Sequence, residues 1–173
     1  RAFLSDMSPL EDEYQIYDID IVNSMPSVFL QLASELKHPC PLLSEYVRNR
    51  TAVLNDNQLT KLDVIICLNK DKVNNKWCPG LKLLHIETHR LKVAINQKYQ
   101  DLITINPSSD NPISSCAGRI YRYFENELLT EAVNIVNDAE HAYPTTCCFD
   151  GFHLACKSPR LRDGIIDKLC KAP

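Results

Sequence analysis

Glycine is scarce in this chain: there are four among 173 residues, with two methionines and one tryptophan. That count excludes a collagen repeat. No apolar run approaches the ~20 residues that a membrane-spanning helix needs, and there is no internal repeat, low-complexity tract or coiled-coil pattern. The sequence opens Arg1-Ala2-Phe3-Leu4-Ser5-Asp6, without an initiator Met or a signal-peptide pattern, so it reads as a processed product or a piece of a longer chain. No Cys-x-x-Cys spacing joins any of the eight cysteines, and Cys67, Cys116 and Cys170 sit in apolar runs, where a free thiol behaves as a small hydrophobe. Reduced cysteines and an intracellular setting, cytoplasmic or nuclear, follow from compartment logic. A secreted domain with four bridges is the minority alternative.

What is present fits one folded domain. Hydrophobic residues make up 45% and charged residues 24% of the chain, enough to bury a core without staples. The net charge of −3 is unevenly spread: residues 1–35 carry −6, residues 36–100 carry +6 and residues 101–173 carry −3. Acidic flanks around a basic centre suit a protein that holds cations in one place and phosphates in another.

Hydrophobic periodicity gives the elements. Tyr14 to Val22 alternates as a strand. A helix with Ser24 as candidate cap and Pro26 in its first turn runs to about Lys37. Leu42 to Leu54 reads as a second helix carrying Arg48 and Arg50, and Leu59 to Leu68 as a third. Asn69 to Gly80 is polar and lysine-rich, a loop or mobile excursion. Leu81 to Tyr99 and Ile113 to Ala139 are long helices. Tyr143 to Phe149 and Phe152 to Cys156 form a hairpin about an Asp150-Gly151 turn, and Pro159 opens a last helix to Cys170. The expected fold is α+β, a small antiparallel sheet packed against several helices. It is expected as a single domain over 1–173 with a basic helical insertion at about 38–105.

The carboxylates carry the chemistry. Asp18 and Asp20 share one face of the first strand, because side chains alternate. Asp150 sits at the hairpin apex and meets Asp20 if the hairpin pairs with that strand. Converging carboxylates repel one another and call for a divalent cation. All-oxygen donors favour Mg²⁺, which also takes phosphate oxygens, the apparatus of two-metal nucleotidyl transfer. Read singly, Asp150 is a turn residue, and Asp18 and Asp20 are outward residues of a half-exposed strand.

The segment Asp20-Ile21-Val22-Asn23-Ser24-Met25-Pro26-Ser27 resembles the first palm motif of family B DNA polymerases, with Asp20, Pro26 and Ser27 matching in place. Met25 falls where that family has a Tyr beneath the sugar. Cys147-Cys148-Phe149-Asp150-Gly151-Phe152 resembles the hairpin motif that bears the second catalytic Asp. Asn111 to Ala117 looks like the helix that precedes that hairpin in family A polymerases. The whole order, with Cys40 to Arg50 between, is similar to polymerase-like replication proteins of large DNA viruses and protist mobile elements. Departures are Phe152, where family B has a second Asp, and Phe149, where family A has a His; the fingers signature is not recognisable.

The resemblance implies a palm-like fold and a DNA-polymerase-like nucleotidyltransferase. Asp20 and Asp150 would be catalytic and would bind two Mg²⁺ ions, with Asp18 assisting. Met25 would lie near the sugar. Arg50, Lys61, Lys70 and Lys72 would hold nucleotide phosphates, with Arg48 an ordinary solvated base. Implied partners are a nucleic-acid primer-template, nucleoside triphosphates and other parts of a replication protein, without a membrane. The alternative is a catalytically inactive interaction or effector protein that keeps the fold, secreted with disulfides in one version.

Lesser constellations read as packing. His85 and His89 are one helical turn apart, a conceivable zinc pair with His141 or His153 as third ligand, but packing histidines are the expectation. Cys148 and His153 face each other, as in a Cys–His nucleophile, only if Phe149 pairs with Phe152. Trp77 beside Lys76 reads as a loop anchor before it reads as a base-stacking residue.

Overall fold

The computed structural model describes residues 14–103, 107–148 and 151–171. Among them are three strands and seven helices. In order these are β1 (Gln15–Asp20), α1 (Ser24–Glu35), α2 (Pro41–Arg48), α3 (Arg50–Asp56), α4 (Lys61–Leu68), α5 (Pro79–Lys98), α6 (Pro112–Asn137), β2 (Ala142–Cys148), β3 (Gly151–Cys156) and α7 (Pro159–Lys171). The class is α+β with a three-stranded antiparallel sheet, as the sequence predicts. Proline is the first residue of α2, α5, α6 and α7, where its missing N–H costs nothing and its fixed φ suits the first turn.

The chain divides into two compact units, a sheet unit of residues 1–21 and 126–173 and a helical unit of residues 22–125. The expected insertion at about 38–105 falls inside the helical unit. α6 begins in one unit and ends in the other.

In the sheet unit the strand order is β1-β3-β2. Both outer strands pair antiparallel with β3, so β1 and β2 run parallel to each other with β3 between them, a split β-α-β arrangement. Tyr17 and Ile19 stand opposite Leu154 and Phe152. This face packs on Val136 and Leu129 of α6 and on Ile165, Leu161 and Leu169 of α7. Phe152 and Leu154 are essentially fully buried, each worth about 1.5–3 kcal/mol. Ser158 caps α7, its hydroxyl accepting the Leu161 N–H at 3.2 Å.

The helical unit packs α2 and α4 on α5 and α1 on α2, burying Phe29, Leu32, Leu43, Tyr46, Val64, Leu68, Leu91 and Ile95. Two helix starts are capped from a distance. Glu87 of α5 accepts the Leu42 and Leu43 N–H groups at 3.1 and 2.8 Å. Asp71 accepts the Ile113 and Ser114 N–H groups at 2.9 and 2.7 Å. Both place a carboxylate at the positive end of a helix. α4 carries its own capping box between Thr60 and Asp63.

Three expectations change. The single helix from Leu42 to Leu54 is two, because Asn49 adopts φ −129°, ψ 42° between α2 and α3 and its side chain donates back to Glu45 at 2.7 Å. Arg48 therefore ends one helix and Arg50 begins the next. Ser24 is inside α1 and does not cap it. Asn23 holds the cap position in the left-handed region at φ 54°, while the Ser24 hydroxyl bonds Tyr121 at 2.9 Å and donates to Glu125. The hairpin pairs Cys148 with Gly151, so Gly151 is the first residue of β3 and not a turn residue. The lysine-rich segment from Asn69 to Gly80 is an anchored loop, as the next section describes.

Candidate functional site

The outward face of the sheet carries the predicted acids. β1 pairs with β3 so that Asp18 stands opposite His153 and Asp20 opposite Gly151. Asp150 lies outside the described residues, and its successor Gly151 is the cross-strand neighbour of Asp20. Asp18 and Asp20 are both exposed on the same side of β1, and the Asp18 carboxylate is 3.8 Å from His153 Nε2.

The glycine has a spatial reason. A Cβ at position 151 would lie 2.4 Å from the Ile19 carbonyl oxygen, 3.1 Å from Asp20 Cα and 3.2 Å from an Asp20 carboxylate oxygen. Only a residue without a side chain lets β1 approach β3 this closely. The glycine thus keeps the Asp20 carboxylate against the backbone of the first β3 residue.

The donors on this face are the Asp18 and Asp20 carboxylates and the His153 imidazole; the carboxylate oxygens suit a hard cation such as Mg²⁺. Among the described residues, no group of three or more His, Cys, Asp or Glu side chains is arranged to hold a metal.

The helical unit holds the basic residues. A cleft of about 660 Å³ is lined by Val22, Asn23, Arg48, Asn49, Arg50 and Asn55, among others. The Arg50 guanidinium donates to the Asn23 side-chain oxygen, which fixes its direction, and no described lining residue is acidic. Two guanidiniums and several amides without a carboxylate form an environment for an anion, and the planar Arg fork fits phosphate oxygens. Arg48, expected to be an ordinary solvated base, is exposed but shares this cleft. Met25 is half-buried in the first turn of α1. Ser27, two residues on, ties that turn by donating to the Val22 carbonyl at 2.9 Å.

Lys61, Lys70 and Lys72 are exposed and are not brought together. Lys61 begins α4 while Lys70 and Lys72 follow its end, about 12 Å of helix away. None of the three is among the described residues lining the arginine cleft.

The residue that sequence reasoning missed is Lys92. Its ammonium is fully buried and donates to the Leu68 and Lys70 carbonyls at 2.9 Å each and to the Ser114 hydroxyl at 2.7 Å. Burial pushes it down to about 8, against the pull of Asp71 and Cys67. Burial also raises the Asp71 carboxyl, but bonds from Ser114 and Ile113 and the charge of Lys92 outweigh that and leave it below its ordinary value. His85 Nε2 meets the Lys70 carbonyl at 3.1 Å, and Trp77 packs on His85 at 5.4 Å. The lysine-rich segment is thus a loop, one of the two readings the sequence allows, tied down at Lys70, Asp71 and Trp77, and Trp77 is the anchor the sequence predicts. Periodicity contains the missed signal: Lys92 and Asn96 fall on the same α5 stripe as Leu84, Leu91 and Ile95.

The zinc pair is a packing pair. The His85 and His89 rings stack with centroids 5.7 Å apart and planes 12° apart, and burial depresses both. The Cys148–His153 pairing does not form: the register puts Thr146 opposite His153, because Cys148 is taken up by Gly151 and β2 carries an irregularity between Pro144 and Thr146.

The seven described cysteines are free thiols. Burial raises Cys40 to about 11 and Cys67 to about 12, which suits inert core residues. Among the described residues no helix is long and apolar enough to cross a membrane. No protein-family model, no curated protein and no solved structure matches the chain.

Proposed function

We infer that this chain is a polymerase palm-like part of a replication protein and carries Mg²⁺-dependent nucleotidyl transfer to a primer end. The observation that carries the reading is the register of β1 on β3. Asp20 stands opposite Gly151, the residue that follows Asp150 in sequence, in a pairing that a glycine alone permits, and this supports a role for Asp20 and Asp150 together. The split β-α-β order adds to it, since it brings the first strand beside the hairpin.

In this reading Asp20 and Asp150 supply the oxygen ligands and Asp18 assists from the same face, held toward His153. Held by these residues, a divalent cation would supply a lowered pKa for a primer hydroxyl and charge neutralisation at the transferring phosphate. Arg50, directed by Asn23, binds phosphate oxygens in the helical unit. The nucleic acid and the nucleoside triphosphate are the partners.

The test is primer extension with Mg²⁺ by the wild-type chain and by Asp20→Asn and Asp150→Asn. Extension by the wild type and its loss in both variants is the expected result. Equal inactivity of all three sinks the enzyme reading and leaves the second one, an inactive interaction protein. The free state of the seven described thiols gives no support to its disulfide-bonded version.

A further inference from the structure

The outward sheet face carries aromatic rings as well as acids. Tyr143 stands opposite Ala155, and Ala155 opposite Ile16, so all three share the face of Asp18 and Asp20. The Tyr14 ring lies 5.2 Å from that of Tyr143, tilted by 53°. The Lys157 ammonium sits 5.2 Å from the Tyr14 ring centre. Ala155 is fully buried, and its small side chain lets the two rings close over β3. An outward strand face is ordinarily polar, yet here Ile16 is 53% and Tyr143 37% exposed. The core on the other face makes no use of these side chains.

We propose that this end of the sheet face is a stacking platform for single-stranded nucleic acid, with bases on Tyr14 and Tyr143 and a phosphate against Lys157. Aromatic side chains on an open sheet suit unpaired bases, since every base has a π-face to stack. Lys157 supplies the charge complementary to the phosphodiester backbone. A duplex keeps its bases stacked inside and offers the rings nothing. Tyr14 precedes Asp20 by six residues, about 20 Å along a strand, or about six phosphates of a stacked strand. Binding at this platform needs neither Asp20 nor a metal, so it stands apart from the nucleotidyl-transfer reading.

The experiment is fluorescence anisotropy of a labelled oligothymidylate with the full chain in EDTA. Wild type binds, and a duplex of equal length competes poorly. Tyr143→Ala weakens binding about 5- to 150-fold, Tyr143→Phe retains it, and Lys157→Gln flattens the salt dependence by about 0.7 in slope. Circular dichroism verifies that the variants fold, which the exposure of Tyr143 favours. No binding by the wild type, or unchanged affinity in folded Tyr143→Ala, overturns the proposal and gives the face to a different kind of partner.

Discussion

In the helical unit the ammonium of Lys92 is fully buried and bonded to three oxygens. In the sheet unit Asp18 and Asp20 stand exposed on a strand. The contrast separates two uses of charge. A buried charge must be satisfied by the fold around it, or it costs several kcal/mol, so Lys92 is tied to the loop and the α6 start that satisfy it. An exposed carboxylate is solvated, so it contributes little to stability. Lys92, Asp71 and Glu87 of the helical unit serve its architecture, while Asp18 and Asp20 stand on the surface of the sheet unit.

The comparison can be broken at four points. Asp20→Asn is expected to reduce primer extension by more than about 100-fold while moving stability by less than about 0.5 kcal/mol; urea unfolding beside the activity assay checks both. A large loss of stability would show that Asp20 is structural after all.

Lys92→Ala should do the reverse of that on stability, costing about 2–4 kcal/mol through lost packing and three acceptors left without their donor. Lys92 also carries a pH signature. Its folded value near 8 lies below the ordinary ~10.4, so the unfolded chain binds the proton more tightly. Stability should therefore rise with pH between those two values, and the rise should vanish in Lys92→Met.

Gly151→Ala forces a Cβ to within 2.4 Å of the Ile19 carbonyl. It should cost about 1–3 kcal/mol and disturb the β1–β3 end, seen as faster hydrogen exchange at Asp20 than at Tyr17.

The smallest effect is on acidification. Asp71 is held below its ordinary carboxylate value, so its capping stability is complete above the unfolded value and is lost as pH falls through the folded one. His85 and His89 are likewise depressed and cost stability once the pH drops below their ordinary value of 6.5. Urea midpoints should fall from pH 7 to pH 5, less steeply in a His85→Gln, His89→Gln double variant. In Asp71→Asn the further fall below pH 4 should shrink.

Much of this fold was legible in the residues. The alternation from Tyr14, Pro26 in the first turn of α1, Pro159 at the start of α7 and the paired apolar runs about Asp150 are local signals, and β1, α1, β2, β3 and α7 follow them. What escaped was set at a distance. The break at Asn49 has no proline or glycine to mark it. Gly151 stands opposite both Cys148 of β2 and Asp20 of β1, and the second pairing joins strands far apart in sequence. The lysine-rich loop is held by anchors, Lys92 and Ser114, that lie more than twenty and forty residues on. At the candidate site the pairing of the first strand with the hairpin was legible. The acid-free arginine cleft was not, since Asn23 and Arg50 meet only through the fold.

In the proposed function Asp20 and Asp150 hold a divalent cation, and calorimetric titration with Mg²⁺ tests that most directly. Heat of binding with the wild-type chain that disappears in Asp20→Asn and in Asp150→Asn is the predicted result. No binding by the wild type, or the same isotherm in all three proteins, would contradict it.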